Sequence, residues 1–503
     1  MRHVPLAIDG RAFRAMGHRL VDQIAEGLES LPDRPVTRDE SPEAVRDALD
    51  LNGPLPELGT EAGPLLEDTA RLLFDHSLFN GHPRFFGYIT GAPAPIGMLG
   101  DLLASAVNPN VGAWSLSPAA TEIEAQTVRW LASFVGFPAD CGGLLVSGGN
   151  MANFVCFLAA RAATAGLDIR TNGMASDRAR RLRVYCSVET HTWIKKAVDL
   201  AGLGTSAIRW IPVDAESRMD VAALRRQLEA DVAVGYVPCM VVGTAGSVST
   251  GAVDPLAAIS AICREHDVWF HVDGAYGGFA AALPDADDDL KALRLADSVA
   301  IDPHKWLYAP LEAGCVLVRD REALRAAFTY DAAYYHFEDR GINFIDYGPQ
   351  NSRGFRALKV WLALKHAGAA GYRAMIADDI RLSRAMADAV TRQPGLQLLT
   401  QALSITTFRY VPQDLGGQLG DARVEDYLDA VNRELLDRVQ RGGETFVSNA
   451  VVSGRYALRA CIVNFHTEQS DVEALPEIVE RIGRAVDVEL RPTLSQRQQV
   501  GQP

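Results

Sequence analysis

The chain has no long apolar segment. No run of about 18 consecutive apolar residues occurs, so the sequence predicts no membrane-spanning helix and no membrane partner. The first twenty residues, MRHVPLAIDGRAFRAMGHRL, contain neither a continuous apolar stretch nor a small-residue cleavage site. We therefore expect no signal peptide.

Cysteine is scarce as well. The seven cysteines are an odd number, and no two of them have the C-x-x-C spacing of a zinc or redox site. Such a set is typical of reduced, mostly buried thiols. The sequence therefore predicts a cytoplasmic protein with neither a disulfide framework nor a metal site.

Positive charge is the third deficit. Lys and Arg number 49 against 63 Asp and Glu, which gives a formal net charge of −14. An acidic chain repels phosphate backbones, so we expect no nucleic-acid partner. The apolar runs are also not followed by G-x-G-x-x-G, which disfavours a dinucleotide-binding oxidoreductase, the plainest alternative among α/β enzymes.

What the chain does have is enough apolar sequence for a large core. Of its 503 residues, 48% are hydrophobic and 22% are charged, which are ordinary values for a globular protein. A chain of this length can bury its core without disulfides. At roughly 100–200 residues per domain, we expect two or three domains.

The pattern of apolar residues divides the chain into three predicted domains. Residues 1–94 are typical of helices broken by Pro and Gly. Residues 95–366 contain short apolar runs without period-two alternation, separated by helical stretches, and end in an amphipathic helix predicted over Ser352–His366. We predict an α/β fold there, with a mostly parallel central sheet and helices on both faces. Residues 367–503 predict a small α+β domain. The apolar runs are GLLVS, RVYCSV, MVVGTA, VWFHVD, SVAID and CVLV.

Two of these runs end near residues that can carry chemistry. VWFHVDGAYGG places Asp273 at the end of a predicted strand, where ligands gather in open α/β sheets. SVAIDPHKWLYAP places Lys305 after another run, among apolar and aromatic neighbours. Taken singly, Asp273 is equally well explained as the cap of the next turn, and a lone Lys is usually a solvated surface residue.

The two residues become specific as a pair, 32 positions apart. A carboxylate at one strand end can keep a pyridine nitrogen protonated, and an amine at another can bind an aldehyde as a Schiff base. Pyridoxal 5′-phosphate (PLP) needs both groups. We therefore predict a PLP enzyme that acts on an amino acid, with Lys305 as the Schiff-base residue.

Two further motifs suit the same cofactor. In LLVSGGNMANF, Gly148 and Gly149 join a predicted strand to a helix whose free N–H groups can bind a phosphate. A Gly pair at such a turn is common, so this signal is weak by itself. In VETHTWIKKA, His191 follows a strand and can stack on the cofactor ring, although a capping or core histidine is the plainer explanation.

Together these motifs resemble those of the group II PLP-dependent amino-acid decarboxylases, the superfamily of the aromatic-L-amino-acid and glutamate decarboxylases. HVDGAYGG and DPHKW are similar to the signature sequences of that family. Four more segments follow in the family's order between about residues 80 and 370: HPRFFGYITGAPAPIGML, AWSLSPAATEIE, GTAGSVSTGAVDPL and SRGFRALKVW.

The resemblance implies PLP fold type I and an obligate homodimer with its active site at the subunit interface. It also implies that Lys305 forms the Schiff base, Asp273 faces the pyridine nitrogen, Ala275 lies beneath the ring and His191 stacks on it. The family often has Asn where this chain has Asp302, and a carboxylate there would repel the phosphate. A second set matches the phosphate site and the loop that supports Asp273: Gly149, Asn150, Thr244, Ser247, Asp302 and His304.

The resemblance further implies a tyrosine proton donor on a mobile loop between the lysine and the R-x-F-R helix. Tyr347 in IDYGPQ is the best match, although it stands closer to the helix motif than in the aromatic decarboxylases. Tyr330, Tyr334 and Tyr335 remain alternatives, and a packed surface aromatic is the plainer explanation for each. Relatives with Phe at this position resemble aldehyde synthases, so a tyrosine favours simple decarboxylation.

The substrate is less well determined. Gly112 and Ala113 are small where aromatic decarboxylases present larger groups, and the motifs contain no basic cluster for an acidic side chain. We predict decarboxylation of an L-amino acid, first of all an aromatic one, to the amine and CO₂. The alternatives are an aldehyde synthase, a transaminase or another lyase on the same scaffold. A non-catalytic relative is disfavoured because Lys305 and Asp273 are both present. Four residues match positions near the family's substrate pocket: Tyr88, Ile89, Thr90 and Trp114.

Overall fold

The computed structural model describes residues 4–164, 166–330 and 341–499. Helices occupy much of the described chain, beginning with three in the N-terminal region. They are α1 (Gly10–Glu29), α2 (Pro42–Ala48), α3 (Ala62–His76), α4 (Pro95–Val107), α5 (Pro118–Phe134), α6 (Gly149–Ala163), α7 (Ile169–Asn172), α8 (Asp177–Arg180), α9 (Trp193–Leu200), α10 (Val221–Ala233), α11 (Leu256–Glu265), α12 (Asp288–Lys291), α13 (Arg321–Phe328), α14 (Ala357–Arg392), α15 (Ala422–Arg441) and α16 (Gln469–Gln499).

The strands of the described residues form two sheets, one of seven strands and one of four. The larger sheet consists of β1 (Gly142–Val146), β2 (Leu182–Ser187), β3 (Ile208–Ile211), β4 (Val237–Thr244), β5 (Trp269–Asp273), β6 (Ser298–Ile301) and β7 (Gly314–Val318). The smaller one consists of β8 (Leu396–Ala402), β9 (Ile405–Tyr410), β10 (Ser448–Val452) and β11 (Arg455–Cys461).

The larger sheet has the order β1-β7-β6-β5-β4-β2-β3. Pairing is parallel from β3 through β2, β4 and β5 to β6, and only β7 runs against its neighbours. Most of its strands are buried on both faces, because α6, α9 and α13 cover one face and α5, α10 and α11 the other. The prediction of a mostly parallel sheet between two helical layers is confirmed.

One strand, β3, was not predicted from the sequence. β3 (IRWI) is short and lies at the edge of the sheet, where Arg209 and Trp210 are not buried. Its polar and aromatic residues reflect that position, since an edge strand need not be apolar on both faces.

The start of the predicted helix over Ser352–His366 was wrong, because α14 begins only at Ala357. The Arg353 guanidinium, almost completely buried, donates to the carbonyl oxygens of Val111 and Leu145 and to Glu124. These bonds hold the segment before Ala357 against the sheet and outside the helix. α14 then continues to Arg392, with a non-helical residue at Gly368 (φ +67°, ψ 166°).

An N-terminal segment, residues 85–94, connects three parts of the molecule. The N–H of Phe86 donates to the Phe446 carbonyl at 2.8 Å, and the N–H of Ala92 donates to that of Val463 at 3.2 Å. The N–H of Ala94 donates to the Tyr308 carbonyl at 2.8 Å. The segment therefore joins the smaller sheet to the loop that carries Lys305. No helix in the described part of the chain has both the length and the apolar character to cross a bilayer.

Candidate active site

A cleft of about 330 Å³ opens at the carboxyl edge of the larger sheet. Residues at or just beyond the ends of β1, β4, β5 and β6 line it, so the parallel order of the strands brings distant motifs to one place. Nine of the predicted cofactor residues lie in its wall: Gly149, Asn150, His191, Thr244, Asp273, Ala275, Asp302, His304 and Lys305.

Lys305 lies on the connection between β6 and β7. Its Nζ is 3.1 Å from Oδ2 of Asp302, a carboxylate that is 2% exposed. The loop is closely covered from the N-terminal side, because a Cβ added to Gly91 would lie 2.5 Å from the Lys305 carbonyl oxygen. Gly91 thus lets the segment 85–94 pass directly over the lysine's backbone.

Asp273 ends β5 with both carboxylate oxygens engaged. Oδ2 accepts from the indole N–H of Trp193 at 2.7 Å, and Oδ1 accepts from the N–H of Ala275 at 3.2 Å. The second bond is the turn cap considered from the sequence. The bond from Trp193 orients the carboxylate in the cleft wall. Asp273 can therefore cap the turn and also act in the site.

A buried hydrogen-bond chain lies behind Asp273. His271 contacts Oδ1 of Asn153 through Nε2 at 2.6 Å and Oγ of Ser298 through Nδ1 at 2.8 Å. Trp269 donates its indole N–H to the same Ser298 oxygen at 2.8 Å. Burial lowers the pKa of His271 to about 4, so the ring is neutral at physiological pH. Because Asn153 lines the cleft, these hydrogen bonds fix the orientation of its side-chain amide at the site.

Thr244 is supported from below by a second buried carboxylate. Asp254 accepts the N–H of Thr244 at 2.8 Å and that of Met219 at 2.7 Å. Burial raises the pKa of Asp254 to about 6. The Thr244 hydroxyl is buried without a partner among the described residues, which suits a polar ligand group in the cleft. Ser247 does not line the cleft, because its hydroxyl bonds that of Thr250 at 2.9 Å.

The glycine turn before α6 can hold a phosphate. Gly148 has φ +99°, a conformation that favours glycine, and α6 begins at Gly149, so the first residues of the helix, whose N–H groups have no partner within the helix, line the cleft. A Cβ on Gly149 would lie 2.7 Å from Oδ2 of Asp302. Together with Lys305, Asp273 and the free Thr244 hydroxyl, this turn offers the groups that PLP needs, so the residues fit the cofactor.

Asp302 and His304 lie between this turn and the lysine. Nε2 of His304 is 3.6 Å from Oδ2 of Asp302, and its Nδ1 contacts the Ala313 carbonyl at 2.7 Å. Burial lowers the pKa of His304, while Asp302 opposes that effect. The other oxygen of Asp302, Oδ1, is buried without a partner among the described residues. A carboxylate therefore lies against the glycine turn, as the sequence indicated, and the Lys305 amine 3.1 Å from it offsets the repulsion that its charge would exert on a phosphate.

His191 lines the mouth of the cleft and is exposed in the single chain. Its Nδ1 accepts the N–H of Trp193 at 3.3 Å, which fixes the ring relative to α9. Partial desolvation lowers its pKa, Asp273 raises it and Lys305 lowers it further. Both the capping bond and the position beside the cofactor site are therefore present.

Of the predicted proton donors, Tyr347 and Tyr330 do not line this chain's own cleft. Tyr347 is half-buried against Phe344, with ring centroids 6.1 Å apart, in the apolar cluster formed with β1 and α6. Tyr330 is 72% exposed and lies under the Arg170 guanidinium. Tyr334 and Tyr335 lie outside the described residues.

The predicted substrate residues are also outside the immediate wall. Tyr88 is exposed and packs at 5.9 Å from the ring of Phe446, with φ +53°. Ile89 is buried, and the Thr90 hydroxyl has no partner among the described residues. Trp114 donates its indole N–H to Glu122 at 2.9 Å. The single chain does not bring this set together.

Three contacts at the site were not predicted from the sequence. Trp193 holds Asp273, although it stands only two positions after His191. Arg459 of β11 is almost completely buried and donates to the carbonyl of Val248, a cleft residue, and to Ser448. Asp379 of α14 accepts hydrogen bonds from Trp306 and Tyr308, the first and third residues after the lysine. Arg459 and Asp379 come from parts of the chain that no local sequence signal connects to the cleft.

Comparison with known proteins agrees with this geometry. Residues 42–411 match the model described as the pyridoxal-dependent decarboxylase conserved domain. An aromatic-L-amino-acid decarboxylase of Bacillus atrophaeus is 31% identical over 488 residues, covering 96% of this chain and 98% of that protein. The structure of Oryza sativa TDC with PLP and tryptamine superposes with a TM-score of 0.88 at 27% identity, covering 96% and 99% of the two chains. That of Rhodiola rosea 4-hydroxyphenylacetaldehyde synthase gives 0.84 at 26% identity, covering 95% and 99%.

Proposed function

Because the chain belongs to the pyridoxal-dependent decarboxylase family, and is thus a PLP-dependent amino-acid decarboxylase, we propose that its substrate is an aromatic L-amino acid. The products are the corresponding amine and CO₂. The similarity to the Bacillus aromatic-L-amino-acid decarboxylase over nearly the full length of both chains carries this choice.

The composition of the cleft supports it. Among the described residues that line the cleft, Lys305 is the one Lys or Arg, so no second cation is available there to pair with an acidic side chain. Val248, Leu311 and Tyr276 supply apolar surface instead. An aromatic side chain suits such a wall better than a carboxylate does.

PLP, when bound, accepts the electrons left at the substrate Cα as the carboxylate departs. In this proposal Lys305 holds the cofactor aldehyde, and Asp273 keeps the pyridine nitrogen protonated. The N–H groups of Gly149 and Asn150 bind the phosphate at the start of α6, and Thr244 offers its unpartnered hydroxyl. Ala275 and His191 enclose the ring from its two faces.

The proton donor completes the proposal. We assign it to Tyr347, with Tyr330, Tyr334 and Tyr335 as alternatives, and expect a second copy of the chain to bring it to the cleft. The position of Tyr347 away from its own chain's cleft is consistent with that arrangement. Burial raises the pKa of Tyr347, which keeps its hydroxyl protonated and able to donate.

The test is a panel of L-amino acids incubated with the purified protein and PLP, with CO₂, amine and hydrogen peroxide measured together. Amine in equal amount to CO₂ from aromatic substrates is the expected result. A preference for glutamate, histidine or another non-aromatic substrate would refute the aromatic assignment and leave the decarboxylase family intact.

An aldehyde synthase is the second candidate, favoured by the similarity to the Rhodiola 4-hydroxyphenylacetaldehyde synthase structure. Its signature in the same panel is aldehyde, ammonia and peroxide in proportion to CO₂. That result would also overturn the role given to Tyr347. The variant Tyr347→Phe separates the two activities, because removal of the donor should decrease amine formation without abolishing CO₂ release.

A further inference from the structure

A buried carboxylate on α14 contacts the loop that carries Lys305. Oδ2 of Asp379 accepts the indole N–H of Trp306 at 2.8 Å and the hydroxyl of Tyr308 at 2.7 Å. All three side chains are almost completely buried, at 3%, 0% and 1% exposure. The two donors are the first and third residues after the lysine, so one oxygen atom holds the chain on the far side of Lys305.

Other contacts make this junction rigid. The hydroxyl of Tyr372, also on α14, donates to the Leu307 carbonyl at 3.1 Å. The ring of Tyr276, which lines the cleft, stacks on Trp306 with centroids 4.8 Å apart. The backbone N–H of Asn464 reaches Asp379 from the segment after β11. The carboxylate thus joins the lysine loop, α14 and the chain leaving the smaller sheet.

We propose that Asp379 is a positioning residue for Lys305, which fixes the direction of the lysine amine toward the cofactor aldehyde by holding Trp306 and Tyr308. The residue does not line the cleft and acts through the loop. The proposal rests on the role assigned to Lys305.

The charge of Asp379 decides how strongly it holds the loop. Among the described residues, the titratable groups that interact electrostatically with it include Tyr308, Tyr276, Cys461 and, on its own helix, Asp378, and none of these four is a cation. Burial raises the pKa of Asp379 to about 7, while the bonds from Tyr308 and Trp306 oppose that rise. An ionised acceptor makes shorter and stronger hydrogen bonds than a neutral one. The loop is therefore held more firmly above neutral pH than below it.

The experiment measures the dissociation constant of PLP for the full-length chain, stripped of cofactor and titrated at about pH 6 and about pH 8.5, on either side of the Asp379 transition. Asp379→Asn keeps an acceptor and removes the charge, and Asp379→Leu removes both. Asp388→Asn is the matched control, because Asp388 is an exposed carboxylate on the same helix, more than two turns from Asp379.

We expect Asp379→Asn to bind PLP as the unmodified chain does at about pH 6, and roughly three- to tenfold more weakly at about pH 8.5. Asp379→Leu should bind roughly tenfold more weakly at both pH values, and Asp388→Asn should be unchanged. The deciding quantity is the dissociation constant of PLP for Asp379→Asn divided by that for the unmodified chain. If this ratio is the same at both pH values, the proposal is refuted. Should Asp379→Leu fail to fold, that ratio alone decides.

The role of Lys305 is tested separately in the same titration. If Lys305→Ala binds PLP with the affinity and absorbance of the unmodified chain, the assignment of the Schiff base is wrong. If the Asp379 variants bind PLP with the affinity of the unmodified chain while Lys305→Ala does not, the Schiff-base assignment of Lys305 stands. In that case only the positioning role of Asp379 is refuted.

Discussion

At the scale of single residues, the cleft is notable for a buried carboxylate that lies next to a partly buried amine. Asp302 is 2% exposed, and the Lys305 side chain beside it is 19% exposed. A buried ion pair contributes little to stability as a whole, but removal of one partner leaves an uncompensated charge.

The pair predicts a non-additive pair of substitutions. Lys305→Ala should decrease the free energy of unfolding by about 3 kcal/mol, because the Asp302 carboxylate stays buried without its cation. The double variant Lys305→Ala/Asp302→Asn should recover most of that loss. Urea denaturation without added PLP measures both. Additive effects of the two substitutions would show that Asp302 and Lys305 do not interact.

A second residue-scale prediction concerns His271. Its native pKa of about 4 lies below the ordinary value of 6.5, so the unfolded chain takes up a proton that the folded chain does not. Its contribution to stability is therefore lost as the pH falls from 6.5 towards 4, by roughly 1.4 kcal/mol per pH unit. His271→Gln should be less stable at neutral pH, and its difference from the unmodified chain should shrink over that window. The titration of Asp379 changes the stability of the unmodified protein and of the variant equally. The difference between their denaturation curves at each pH therefore reports the contribution of His271 alone. A constant difference would contradict the prediction.

Sequence alone predicted the residues that stand at strand ends. Asp273, Gly149 and Lys305 lie in separate motifs, yet the rule that parallel strands present their carboxyl ends at one edge brings them to one cleft. Asp379 and Arg459 follow no such rule. They reach the site through the packing of α14 and the smaller sheet, and a lone Asp or Arg in a helix or strand carries no signal of that packing.

At the scale of secondary structure elements, α14 contains the most informative irregularity. Gly368 has φ +67° and ψ 166° within the helix, a conformation essentially restricted to glycine. No atom lies within 4 Å of the Cβ position there, so a side chain would meet no steric obstacle. The glycine is required by the backbone alone.

Gly368→Ala should therefore decrease the free energy of unfolding by about 1–3 kcal/mol. Gly371→Ala is the matched control, because that position lies in the same helix and an added Cβ would meet only the Cβ of Ala367 at 3.5 Å. This second substitution should be neutral or stabilise the protein by about 0.5–1 kcal/mol. Equal effects in thermal denaturation would mean that α14 can straighten at Gly368.

The elements that sequence analysis found and missed differ in burial. Strands covered on both faces, such as β5, are recognisable in the sequence as short runs of apolar residues, because a helix of that length would be apolar on one side only. β3 at the sheet edge has no such constraint. The first turn of α14 was misplaced because Arg353 binds backbone carbonyls of two distant segments, and helical periodicity carries no information on such bonds.

At the scale of the whole molecule, a row of apolar side chains is left uncovered on α4. Leu99, Leu102, Leu103 and Val107 are each more than half exposed, with spacings that place them on one side of the helix. Such a row on a single chain indicates an interface. We propose that it belongs to the homodimer expected from the sequence.

Light scattering should accordingly give the mass of two chains for the unmodified protein. Leu99→Glu/Leu103→Glu should shift it to the mass of one chain, because two buried charges on each side of the interface would be unpaired. Leu200→Glu is the control, since Leu200 is 74% exposed at the end of α9 and does not belong to the apolar row on α4. A single-chain mass for the unmodified protein would refute the homodimer. A double variant that remains dimeric would place the interface elsewhere.

The segment 85–94 has a consequence for the order in which the protein is made. Its N–H groups bind carbonyl oxygens of Tyr308, Phe446 and Val463, residues that the ribosome adds some hundreds of codons later. Until the last of these residues emerges, Phe86 and Ala92 lack their backbone partners, and the cover that Gly91 places over the lysine's backbone can be fastened only through Ala94 and Tyr308. A nascent chain halted before the smaller sheet emerges therefore carries the lysine with this cover fastened at one end. The complete set of contacts over the lysine's backbone belongs to the finished polypeptide, after its first and last parts have met.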